Sequence, residues 1–239
     1  MFLNPNLTGA LDRIAERAAD VRRAYTPGAV PAHDDVASPS IITDFTLDPL
    51  AVVAPEGCYF VTSDQGRRIY TRDGALAIRG GRLLNAEGRP MFGLQTGSNA
   101  LVELRVDPID DALGRVRDPV IERDGTFAYR REYLDPRSGT RELQRVVVGR
   151  VVLARFPAGT RLTTEDGSLC TPPENVSPQI GTPEENNFPS LERMRRERGR
   201  IDVDQSLVRL KEAYLAFDAL QAAEAAKGHL GKTAMDLLK

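Results

Sequence analysis

The sequence predicts a mainly β fold with terminal α-helices: a central antiparallel β body flanked by N- and C-terminal coiled-coil-forming helices. Three observations predict it. Both ends of the chain carry apolar residues at four- and three-residue steps. The middle has period-two stretches punctuated by Asp-Gly and Gly-Gly pairs. Proline-rich stretches separate that middle from each end. The divisions that follow are 1–28 for the first helix, 29–55 for a proline-rich linker, 56–170 for the β body, 171–200 for a second linker and 201–239 for the terminal helix.

Bulk properties narrow the function. A chain of 239 residues is enough for one large domain or for a body with appendages. A formal net charge of −2 gives no ground to expect nucleic acid or an anionic membrane as partner. Charged residues make up 28% and aromatics 6%, with no tryptophan. That is a lean core for this length, so part of the chain is expected to be extended or to order on assembly. Cys58 and Cys170 lie far apart and read better as two buried thiols than as a disulfide. No apolar run of about 18 residues is present to span a bilayer. The N-terminus shows no basic region followed by an apolar core, so no cleaved secretion signal is expected.

The elements follow in order. Leu7, Leu11, Ile14, Ala18, Val21 and Tyr25 set the first helix, over residues 6–25. Asn6 or Thr8 can cap it, and Thr26-Pro27-Gly28 ends it. Pro31, Pro39, Pro49 and Pro55, with Asp34-Asp35, then argue for an extended linker. Within it, Ile41-Ile42 and Phe45–Leu47 read as a short strand or as a patch packed on a neighbour. Strands are expected at Tyr59–Thr62, Arg68–Thr71, Ala75–Ile78, Leu83-Leu84 and Met91-Phe92. The turns between them are Asp64-Gln65-Gly66, Asp73-Gly74, Gly80-Gly81 and Glu87-Gly88. Val102–Val106 is a further strand, and Val120–Glu122 and Thr126–Tyr129 flank a hairpin turn at Asp124-Gly125. Arg145–Phe156 is a long strand interrupted at Gly149, and Asp166-Gly167 makes a third Asp-Gly turn. Thr171–Pro189 is the second linker, and the charged stretch Leu191–Arg200 is expected to be helical. In the terminal helix the seam is Val203, Leu207, Leu210, Tyr214 and Phe217. Leu220, Ala223, Leu230, Ala234 and Leu237 extend it, with a shift of phase near Leu220. Asp202 or Asp204 caps this helix, whose length of about 55 Å calls for a partner.

Specific motifs then carry a resemblance. Gly57-Cys58-Tyr59-Phe60-Val61 precedes Tyr70-Thr71-Arg72-Asp73-Gly74, and Leu83–Gly93 follows with its Gly88 turn and final glycine. In this order and spacing the chain resembles the flagellar basal-body rod and hook protein family. Ile121–Thr126, Gly149–Phe156, Thr26-Pro27-Gly28, Asp202-Val203-Asp204 and Ala213–Phe217 are similar to further segments of the same proteins. The length and the one β body fit a divergent rod component better than the longer hook protein. The resemblance implies a structural subunit of the basal-body rod, not an enzyme. It implies export through the flagellar type III apparatus without a cleaved signal, and helical polymerisation in the periplasm through the terminal helices to transmit torque. Its partners would be itself, other rod and hook subunits and the export apparatus. The assembly interface is then expected at Leu7, Leu11, Ile14 and Val21 of the first helix. The terminal helix adds Val203, Leu207, Leu210, Tyr214, Phe217 and Leu220. The chain departs from the family where several asparagines and a Gly-Phe-Lys are usual. Asp20–Tyr25 holds no asparagine, Ala29-Val30 follows Gly28, and Asp202 stands where an asparagine is expected. These departures support a second reading, an accessory or capping relative that does not polymerise.

Other chemistry finds little support. His33 lies in a linker and His229 lies in a helix between two glycines, neither beside a nucleophile motif. Asp34-Asp35 and Asp110-Asp111 read as solvated loops. The Asp-Gly pairs at 73, 124 and 166 lack the further ligand spacing of a calcium loop. Arg193, Arg195, Arg196, Arg198 and Arg200 are interleaved by Glu192 and Glu197, which favours a solvated or subunit-facing helix over a nucleic-acid patch. A periplasmic enzyme or sugar-binding domain would need an aromatic platform or clustered acids. No catalytic residue, metal ligand, cofactor or small-molecule substrate is expected. Gly228 and Gly231 mark either a frayed end or a close contact between subunits.

Overall fold

A computed structural model describes residues 5–32, 40–98, 100–106, 115–134, 139–164 and 168–237. The described residues form a helix near each end of the chain and seventeen strands between them. The chain divides into two units. A helical unit holds Met1–Tyr25, Ala29–Ser40 and Gly199–Lys239, and a β unit holds Thr26–Gly28 and Ile41–Arg198.

In the helical unit, α1 is Pro5–Arg23 and α2 is Val203–Leu237. Proline suits the first turn of α1, where its missing N–H has no helical acceptor to lose. Asp202 caps α2, since the Gln205 N–H donates to Asp202 Oδ1 at 3.0 Å. The two helices pack against each other. Ala24 and Ile201 form a small apolar cluster there with Ala29 and Val203. Gly199 N donates to Ala24 O and Arg200 N to Ala29 O, both at 2.8 Å. Asp20 is fully buried and accepts from Ala32 N at 2.9 Å and from the Arg23 guanidinium at 2.8 Å. It ties the chain that follows α1 back onto the helix.

The predicted fold class needs two corrections, and the first is the coiled coil. α1 has 19 residues against 35 in α2, and the seam positions Leu207 and Tyr214 are 48% and 50% exposed. The less exposed row of α2 runs through Val203, Ser206, Leu210, Ala213, Phe217 and Leu220. Small residues at Ser206 and Ala213 allow close approach of the neighbouring helix, which Leu207 and Tyr214 would hold off. Apolar residues are spread around α2, so spacing alone does not single out the face that packs.

The second is the make-up of the β-rich middle, which is present as expected but divided into several sheets. The strands form a six-stranded sheet, a five-stranded sheet and three two-stranded sheets. The six-stranded sheet has the order β13 (Thr163–Thr164), β14 (Leu169–Thr171), β4 (Arg67–Thr71), β3 (Cys58–Asp64), β12 (Leu153–Arg155), β15 (Gln179–Gly181). The five-stranded sheet has the order β8 (Leu101–Glu103), β7 (Phe92–Gln95), β11 (Arg141–Val151), β10 (Thr126–Leu134), β9 (Arg115–Ile121). β11 and β12 are separated by Val152 alone, so one run of chain serves both sheets. Phe60, Leu83, Met91, Phe127, Tyr129 and Leu153 belong to the main core. Val61, Tyr70, Val152 and Ala154 form a second cluster, closed by an edge-on contact of Tyr70 with Phe156 at 4.9 Å. Phe60 and Val61 belong to different clusters, as do Leu153 and Ala154. The sheet is therefore apolar on both faces, which explains its near-continuous apolar runs.

Turn chemistry shows where local signals hold. Gln65 and Gly66 take φ of +48° and +83° between β3 and β4, which are paired, the geometry of a two-residue hairpin. Asp124-Gly125 joins β9 to β10, with the Thr126 N–H donating to Asp124 Oδ1 at 3.0 Å. Gly80-Gly81 joins β5 (Ala77–Arg79) to β6 (Arg82–Leu84). Asp73-Gly74 is not a hairpin turn, because β4 pairs with β3 and β14 while β5 pairs with β6. Gly74 answers a steric need, since a β-carbon there would stand 1.8 Å from Val52 O. Asp166-Gly167 lies outside the described residues. At Gly149 the strand continues with a bulge, the register slipping where Phe127 faces Gly149 and Ala128 faces Val147.

The stretch expected as a charged helix, Leu191–Arg200, is extended. β16 (Glu192–Arg193) pairs with β2 (Val52–Val53), and β17 (Arg195–Arg198) pairs with β1 (Ile42–Phe45). Met194, at φ +56°, separates β16 from β17. Two of the arginines find acids outside the stretch, and Arg195 pairs within it with Glu192 at 3.7 Å. Arg196 pairs with Asp48 at 3.1 Å and Arg198 with Asp44 at 3.0 Å. Strands β1, β2, β15, β16 and β17 thus lie in the stretches read as linkers.

Candidate assembly surface

The apolar residues expected to carry assembly divide by exposure. On α1, Ile14 is buried, Leu7 and Val21 are half-buried, and Leu11 is exposed. On α2, Val203, Leu210, Phe217 and Leu220 are half-buried, while Leu207 and Tyr214 are exposed. Val203, Leu210, Phe217 and Leu220 share the less exposed row with Ser206, which is 1% exposed, and Ala213.

A second face of α2 emerges from the remainder. Leu207, Val208, Tyr214 and Leu215 are 48%, 56%, 50% and 59% exposed. Their spacing of i, i+1, i+7 and i+8 places them on one side of the helix. Lys211 and Asp218, also exposed, continue that side. Val208 and Leu215 were not singled out by the sequence reading. The signal was present as two overlapping apolar rows, and the reading followed the one that began at Val203. Ser206 and Ala213 were missed because small residues score as weakly apolar, although they mark close packing.

Nothing in the electrostatics of this face suggests a reaction. Its polar groups, Lys211 and Asp218, are ordinary surface ions. His229 lies exposed on α2, and His33, Asp34-Asp35 and Asp110-Asp111 lie outside the described residues. Among the described residues no group of three His, Cys, Asp or Glu side chains is placed to hold a metal ion. An open groove of about 450 Å³ on the β unit is lined by Pro49, Val120, Tyr129, Arg130 and Arg145. Its arginines are already engaged, Arg145 with Glu122 at 2.7 Å and Arg130 with Asp118 at 3.8 Å. Cys58 is buried, Cys170 is half-buried, and neither is in a disulfide. Among the described residues no helix is long and apolar enough to cross a membrane.

Within the motif that carries the resemblance, Thr71 to Gly74 are buried and held by specific contacts. The Thr71 and Ser168 hydroxyls share a hydrogen bond of 2.7 Å. Asp73 accepts from Ala75 N at 3.0 Å and from Ala86 N at 2.9 Å. Burial pushes its carboxyl above the usual range, against the pull of those two N–H groups. Gly74 fits under the Val52 carbonyl. Arg72 does more, as set out below. No protein-family model matches the chain, and no curated protein matches its sequence.

Proposed function

We propose that this protein is a structural subunit of the bacterial flagellar basal-body rod, adding to a helical polymer through its terminal helices and transmitting torque. The observation that carries this reading is the exposed face of Leu207, Val208, Tyr214 and Leu215 on a helix of about 52 Å. α1, at about 28 Å, is too short to line α2 along its whole length. A row of large apolar side chains left in water marks a surface that is covered in a larger assembly. The occupant we assign is further copies of this chain and related rod or hook subunits. A contact between unlike faces that does not close on itself gives a filament. The Gly57–Val61 and Tyr70–Gly74 motifs point the same way. Export would run through the flagellar type III apparatus into the periplasm, and the reading includes no cofactor, nucleic acid or small-molecule substrate.

A second reading, an accessory or capping relative, draws on Asp20. It stands in the stretch where the family carries asparagines, and its carboxylate fastens the following chain to α1 in the single chain. Mass spectrometry of purified basal bodies separates the two. Several copies per basal body, scaled against a known rod subunit, support the polymer. Absence from intact basal bodies, with the protein present elsewhere in the cell, overturns the polymer and leaves the accessory role.

A further inference from the structure

Arg72 is buried in the β unit, and so is Glu197 of β17. The Arg72 guanidinium has five N–H donors and a task for each. Nε donates to the two Glu197 oxygens at 3.1 and 3.0 Å. Nη2 donates to Glu197 Oε2 and to Ala54 O, the latter at 2.7 Å. Nη1 donates to Pro55 O at 2.7 Å and to Cys58 O. The aliphatic stem has a further neighbour. A β-carbon built on Gly28 would stand 2.5 Å from Arg72 Cγ and 2.8 Å from its Cβ, so Gly28, at φ +75°, lies flat against the stem.

Gly28 and Glu197 are remote in sequence and alike in place. Gly28 is the last residue of the Thr26–Gly28 stretch that follows α1, before the chain leaves the β unit at Ala29. Glu197 precedes the departure at Gly199 that leads to α2. We infer that Arg72 is a clamp that grips both departures of the chain from the β unit at once, by its stem at Gly28 and by its charge at Glu197. Removing one partner of a buried pair leaves an uncompensated charge, so losing Glu197 should loosen the hold of Arg72. The clamp belongs to the single chain, and its test needs no assembly.

Hydrogen exchange of the full-length monomer, resolved by peptide, tests it. Glu197→Gln keeps the shape and removes the charge. We expect amides of Ile42–Phe45 and Arg195–Arg198, which pair in one ladder, to exchange more than about tenfold faster, with β10 and β11 unchanged. Gly28→Ala makes no change at β17, yet it should speed the same amides by displacing the Arg72 stem. In an Arg72→Ala background that effect of Gly28→Ala should shrink to the part its positive φ alone imposes. An equal effect in both backgrounds, or none in either, overturns the clamp. So does uniform acceleration through β10 and β11 in Glu197→Gln, because the pair would then hold the whole unit rather than its departures. If Arg72→Ala does not fold, Glu197→Gln and Gly28→Ala decide alone, and unchanged β17 exchange in either one overturns the clamp.

Discussion

Single residues set hard limits that composition does not show. Gly74 has no room for a β-carbon beside Val52 O, whereas Gly57, at φ +71°, has nothing within 4 Å. Gly74→Ala should therefore cost about 3 kcal/mol or more, from displaced backbone. Gly57→Ala should cost about 1 kcal/mol, from conformation alone. Urea unfolding of the two variants checks the order. Asp124 carries a pH signature. Burial raises its pKa, but the Thr126 N–H and hydroxyl, with Arg150 nearby, outweigh that and hold the carboxyl below its usual range. A lowered folded pKa contributes stability above the unfolded value, near about 3.9, and loses it as pH falls through the folded value. Asp124→Ala should thus destabilise at neutral pH, and its deficit should shrink in acid. A deficit that stays constant from neutral to acid pH would discard the carboxylate as its cause. Asp73 runs the other way. Its raised carboxyl contributes fully below the ordinary range, and that contribution falls as pH climbs toward the folded value.

At the scale of elements, α2 shows what a spacing pattern can and cannot decide. The steps through Val203, Leu210 and Phe217 belong equally to a row with Leu207 and Tyr214 and to a row with Ser206 and Ala213. The packed row is the one with the small residues. Ser206→Leu should destabilise the helical unit by about 1–3 kcal/mol through overpacking. Leu207→Asp should change monomer stability by no more than about 0.5 kcal/mol, as an exposed substitution. Thermal melts followed by helical circular dichroism compare them, and the reverse order would return Leu207 to the packed face. Helix ends were more legible. Asp202 was one of two caps read from the sequence, and the Gln205 N–H selects it. The stretch Leu191–Arg200 was illegible for a different reason. Its alternating charges suit a solvated helix, and the segments whose backbones pair with it, Ile42–Phe45 and Val52–Val53, lie far away in sequence.

For the whole molecule, the exposed face of α2 and the two cysteines give two expectations. Paired Leu207→Asp and Tyr214→Asp substitutions should abolish polymer formation, read by sedimentation, while the monomer melt stays in place. Polymers that form normally would remove this face from the assembly. Reducing agent should leave the unfolding midpoint unchanged, since neither Cys58 nor Cys170 is in a disulfide. A drop of several degrees would indicate a disulfide that the fold does not contain. The sequence by itself determined helices at both ends, the strands from Tyr59 to Thr71, the hairpins at Gln65-Gly66 and Asp124-Gly125, and two candidate caps for α2. Each rests on residues within a few positions of one another, where φ preference and side-chain period act directly. The tertiary structure decided the division into separate sheets, the face of α2 that packs, the role of Gly74 and the meeting of Arg72 with Glu197. Those depend on groups far apart in sequence, Arg72 and Glu197 by 125 residues. Closeness in space between such groups is set by burial and steric fit across the whole chain, and no local period encodes it.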